Sequence, residues 1–205
     1  MTPDAIPPLL MIAAVTLKDG TNTDAFNDFY EKTYIPDLLQ VGDSVESVVR
    51  YQAMEKSGDG GFLDAQYVTV YCLGAGASMD DVERSVLAPA HKAAFEEFKK
   101  WKMESFAYFD RAYYQLPQSA AALEDWQSLH DLLHGRSVLT MDIVDEPGSP
   151  SQGVSCLRYR LATPGGIVEP PLEQRRYVRF SRSDKGSLVF QCMSRLYGVS
   201  AVGRG

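Results

Sequence analysis

Long apolar runs alternate with amphipathic stretches along this chain. "PLLMIAAVTL" (8–17) is apolar at nearly every position, the pattern of a strand covered on both faces. "TNTDAFNDFYEKTY" (21–34) instead places Phe26, Phe29, Tyr30 and Tyr34 at helical spacing. Thr21 or Thr23 is the expected N-cap of that helix, with Asp24 near its positive end. "VESVVRYQAM" (45–54) and "DAQYVTVYCL" (64–73) read as two strands joined by the loop "EKSGDGGF". The next segment, "SMDDVERSVLAPAHKAAFEEFKKWKM" (78–103), is helical. Ser78 is its expected N-cap, Asp80 and Asp81 lie in the first turn, and Lys99, Lys100 and Lys102 lie near the end. "ESFAYFDRAYYQL" (104–116) is an aromatic strand.

Both helices contain a proline. Pro89, in "LAPAHK", suits the first position of a fresh helix. Pro36, in "FYEKTYIPDLL", cannot donate a backbone hydrogen bond, and its ring meets the carbonyl four residues back. The first helix is therefore expected to end near Tyr34, with "PDLLQ" starting a short new turn. Residue 34 would then turn toward the sheet. The order β-α-β-β-α-β is the ferredoxin-like arrangement, an α+β fold. It is expected over residues 8–117, followed by a linking helix over 118–135.

Composition changes near residue 135. Up to that point ten basic residues face 21 acidic ones, a net −11; beyond it ten face six, a net +4. The 136–205 tail is also rich in Arg, Ser and Gly, as in a second unit or a weakly folded extension. Its "VVRYQ"-like segment "CLRYR" aligns Arg158-Tyr159 with Arg50-Tyr51, and Tyr177-Val178 then aligns with Tyr67-Val68. "SVLTMDIVD" matches the first strand. The tail is thus either a reduced second repeat of about three strands, with "LVFQCMSRLYG" as a remnant helix, or poorly ordered.

The whole chain has 205 residues and a net charge of −7, which offers no basic surface for nucleic acid. The N-terminal apolar run lacks a basic leader and is too short to span a bilayer. Three cysteines, Cys72, Cys156 and Cys192, have no metal-ligand spacing and leave one unpaired in any disulfide scheme. A cytoplasmic protein with no membrane partner is expected.

The β-α-β-β-α-β order, the aromatic "FYEKTYIPDLL" and the terminal "FDRAYYQL" resemble the EthD-like branch of the dimeric α/β-barrel superfamily. The resemblance covers roughly residues 8–117. It implies two sheets packed face to face into a barrel, by homodimerisation unless the tail supplies the second sheet. It also implies a cavity between the sheets for a small aromatic or polyketide-like molecule. Members of that branch include decarboxylases, cyclases, dehydratases and cofactor-free oxygenases, so no cofactor is expected. Where members often carry a histidine at the helix break, this chain has Tyr34.

Tyr34 and His91 are the catalytic candidates. A phenol donates a hydrogen bond more readily than it acts as a base near neutral pH, whereas an imidazole titrates there. A packing role is the alternative for each, and a haem-binding relative would use His91 as axial ligand. Asp37, Arg50, Tyr51, Tyr67 and Tyr108 are the candidate substrate contacts: a capping carboxylate, a strand cation and strand phenols. Arg50 is also the expected partner of Asp110. His130 and His134, in "HDLLH", share a helix face but lack the glutamate and third ligand of a zinc motif, so no metal is expected. The expected function is a cofactor-independent small-molecule enzyme, or else a non-catalytic ligand-binding barrel.

Overall fold

The computed structural model describes residues 9–54 and 65–115, and the backbone of four further strands within 138–197. The apolar runs form strands β1 (Leu9–Leu17), β2 (Val45–Ala53), β3 (Tyr67–Leu73) and β4 (Phe106–Gln115). Between β1 and β2 lie α1 (Thr23–Phe29), a π-helical turn (Tyr30–Tyr34) and α2 (Ile35–Gln40). Between β3 and β4 lie α3 (Met79–Val86), a 3-10 turn (Pro89–His91) and α4 (Lys92–Ser105). The tail contributes β5 (Val138–Val144), β6 (Cys156–Ala162), β7 (Tyr177–Ser181) and β8 (Val189–Tyr197). The α+β, ferredoxin-like reading of the first half is correct.

Ser78 caps α3 in a full capping box with Asp81, and Pro89 opens a new turn. Three local expectations are corrected. The N-cap of α1 is Asn22, not a threonine: its extended backbone lets Oδ1 accept the Ala25 N–H at 3.1 Å. Thr23 instead donates its hydroxyl to the Thr21 carbonyl. The segment "LVFQCMSRLYG" holds a strand rather than a helix, because β8 finds ladder partners on both sides, β2 and β5. The helix also does not end at Tyr34. The ladder widens by one residue across Tyr30–Tyr34, relieving the clash at Pro36, and runs on into α2.

All eight strands close into one barrel in the order β1-β3-β2-β8-β5-β7-β6-β4. The first four strands alone follow β4-β1-β3-β2. The tail strands follow β8-β5-β7-β6, the same order with each number raised by four. Register repeats too: Tyr51 lies opposite Val68, and Tyr159 lies opposite Val178. The halves join at two seams, β2 with β8 and β4 with β6. The loop 55–62, the linking helix over 118–135 and His130 and His134 lie outside the described residues.

Strand alternation divides the first sheet into two faces. Met11, Ala13, Tyr67, Tyr71 and Tyr113 pack with the helices. Leu10, Ile12, Val70, Tyr51 and Tyr114 alternate with them and are as deeply buried on the barrel-interior side. Cys72 is a free thiol among these, and burial pushes its pKa up to about 12. Phe26 has no exposure and touches Tyr30, Tyr67, Trp101 and Phe106, tying α1 to α4 and the sheet. Burying one such ring stabilises the fold by about 2–3 kcal/mol. Among the described residues, no helix is long and apolar enough to cross a membrane.

Candidate functional site

The candidates divide between the two faces. Arg50 and Thr69 are cross-strand partners on the helix side, while Asp110 and Ala14 are partners on the interior side. That separation removes the expected Arg50–Asp110 pair. Arg50 instead reaches Glu31 Oε1 at 2.8 Å and Asn27 Oδ1 at 2.7 Å, both on the helical layer above it. Its guanidinium also lies over the rings of Tyr67, Tyr30 and Phe26, at 4.5, 5.0 and 5.3 Å. Asp110 accepts the Tyr108 hydroxyl and the Arg111 backbone N–H.

The helix face carries an aromatic column. Tyr34 stacks on Tyr30 at 5.2 Å and on Phe98 at 4.7 Å, and the His91 ring meets it edge-on at 4.8 Å. His91 is fully buried, and among the described residues neither ring nitrogen has a hydrogen-bond partner. Burial therefore lowers its pKa, against a weaker opposing pull from Asp37 in the first turn of α2. Burial also holds the Tyr34 phenol far above its ordinary value, so Tyr34 is a donor and not a base near neutral pH. Beside them, the hydroxyls of Tyr30 and Tyr71 hydrogen-bond to each other, and burial raises both phenols as well.

This column forms one wall of a cleft of about 330 Å³ between the sheet and α3/α4. The volume is at the small end of ordinary ligand sites. Tyr30, Tyr34, Tyr71, Phe98 and Phe109 supply its aromatic surface. Also in the cleft, Glu83 Oε1 accepts the Tyr113 hydroxyl at 2.6 Å and pairs with Arg111 at 2.8 Å. Lys99 and Lys102 of α4 complete the rim.

The structure thus groups Tyr34, His91 and Asp37, although His91 sits behind Tyr34 rather than on the cleft wall. Arg50 and Tyr67 form a second group, beneath α1. Tyr51 and Tyr108 share neither, because both lie on the barrel-interior face opposite Val68 and Thr16. The cleft lies between sheet and helices, not between the two sheets. Sequence reasoning missed Tyr30, Tyr71, Glu83, Arg111 and Lys102. The alternation of Phe109, Arg111 and Tyr113 on β4 was a usable signal; nothing in the sequence of α3 marks Glu83. No group of metal-binding side chains occurs among the described residues.

The chain matches no family model and no curated protein. Among solved structures, it is similar to an Arabidopsis thaliana protein at 14% identity and TM-score 0.41, over 55% of this chain and 98% of that one. It is also similar to a dabb family protein with a ferredoxin-like fold from Mesorhizobium loti. That match has 14% identity and TM-score 0.38, over 54% of this chain and 97% of that one.

Proposed function

We propose that the helix–sheet cleft binds a small, planar, oxygenated aromatic compound, and that the chain is an enzyme of EthD-like type. The observation that carries this reading is the stack of Tyr30, Tyr34 and Phe98 along a cleft of about 330 Å³. Stacked rings offer a flat apolar wall to an aromatic ligand. No described residue hydrogen-bonds the Tyr34 hydroxyl, so it is free to donate to a carbonyl or phenolic oxygen there. Such a donor stabilises negative charge developing on the substrate oxygen in decarboxylation or cyclisation.

A second reading, a barrel that binds its ligand without chemistry, is favoured by one observation. Glu83 is already engaged by Arg111 and Tyr113, and the Tyr34, Tyr30 and Tyr71 phenols are held neutral. The test is calorimetric titration with 2-naphthol on the full chain and on Tyr34→Phe. The cleft reading expects binding that weakens about fivefold to tenfold in the variant, the worth of one hydrogen bond. Equal binding by both proteins would exclude Tyr34 as the contact.

A further inference from the structure

Three of the cleft's side chains are cationic, and two of them are neutralised. Arg111 pairs with Glu83 at 2.8 Å, and Lys99 pairs with Glu96 at 2.7 Å. Lys102 has no carboxylate partner among the described residues. Its Nζ sits 4.7 Å from the centre of the Phe109 ring, and the residue is only half-exposed. A ring face attracts an ammonium but carries no countercharge, so the positive charge remains available to an anion. Among the described residues, this ammonium thus borders the cleft with no carboxylate in contact.

We infer that the ligand of this cleft is an aromatic carboxylate, and that Lys102 holds its carboxylate group. The inference rests on the cleft reading above and names the substrate class for it. Tyr34, Phe98, Phe109 and Lys102 stand in a contiguous row: Tyr34 to Phe98 is 4.7 Å, Phe98 to Phe109 is 5.6 Å, and Lys102 closes the row over Phe109. A flat ring system laid along that row has a hydrogen-bond donor at one end and a positive charge at the other. A single ammonium matches the single charge of a carboxylate. A phosphate dianion would call for more donors. Asp110 also borders the cleft, but it accepts the Tyr108 hydroxyl and a backbone N–H, and no ion pair joins it to Lys102.

The experiment compares 6-hydroxy-2-naphthoate with its neutral analogue 6-hydroxy-2-naphthamide by calorimetry, on the full chain and on Lys102→Gln and Lys102→Arg. The naphthoate is expected to bind about tenfold more tightly than the naphthamide. Lys102→Gln should erase that preference, and Lys102→Arg should keep it. Equal affinity of the two probes for the native chain, or a preference that survives Lys102→Gln, overturns the inference while the cleft reading stands. Binding of neither probe to the native chain overturns both.

Discussion

Ile35 donates its backbone N–H to the carbonyl of Tyr30, five residues back rather than four. This wide step lies beneath the two tyrosines of the cleft wall and brings their rings to within 8° of parallel. A regular α-helix would also drive Pro36 against the preceding turn. The same irregularity therefore accommodates the proline and sets the aromatic column, and such π-turns are frequent at functional sites.

Two substitutions at Tyr34 separate its ring from its hydroxyl. Tyr34→Phe should unfold in urea within about 0.5 kcal/mol of the native chain, because no described residue bonds the hydroxyl. Tyr34→Ala removes a ring packed between Tyr30, Phe98 and His91 and should cost about 3–5 kcal/mol. A Phe variant as unstable as the Ala variant would contradict this assignment.

Arg50 and Glu31 are unequally buried, with side-chain exposures of 1% and 26%. Removing the more exposed partner strands a charge that water cannot reach. Glu31→Ala should therefore cost about 3 kcal/mol, whereas Arg50→Met, which replaces the charge with an apolar chain among three rings, should cost about 1 kcal/mol. Denaturation of the two variants side by side tests the ordering, and the reverse order would sink the account.

His91 makes stability depend on pH in a defined direction. Its folded pKa lies below the unfolded value of about 6.5, so the unfolded chain takes up the proton first. The full contribution is present above pH 6.5 and is lost as pH falls through the folded pKa. The urea midpoint should drop between pH 7 and pH 5, and that drop should be smaller in His91→Phe. An unchanged slope in the variant would assign the drop to other groups.

Much of the first half was readable in the residues. Continuous apolar runs located β1 and β3, and the Ser78 box and Pro89 located the starts of α3 and α4. Pro36 misled because local sterics name the clash but not its remedy; a widened turn and a broken helix satisfy it equally well. The site was harder. Tyr51 and Tyr67 look alike in sequence, yet pleat parity sends one to the barrel interior and the other to the helices. Glu83 enters the site only through its contacts with Arg111 and Tyr113 on a distant strand, a relation that exists only after folding.

The two seams of the barrel, β2 with β8 and β4 with β6, are made within one chain. Both edges that a lone four-stranded sheet would offer to a second copy are thereby used. Light scattering of the full chain should give the mass of a monomer. A stable dimer would mean that a surface other than these edges associates.

Closure has a cost in time. Ser194, in the last strand, lies opposite Arg50, in the second. That pairing spans most of the chain, and contacts so distant in sequence slow folding. During synthesis β2 must wait for nearly the whole polypeptide before its outer edge is covered. Until then, that edge is open to self-association, and truncation before Val189 would leave it so permanently.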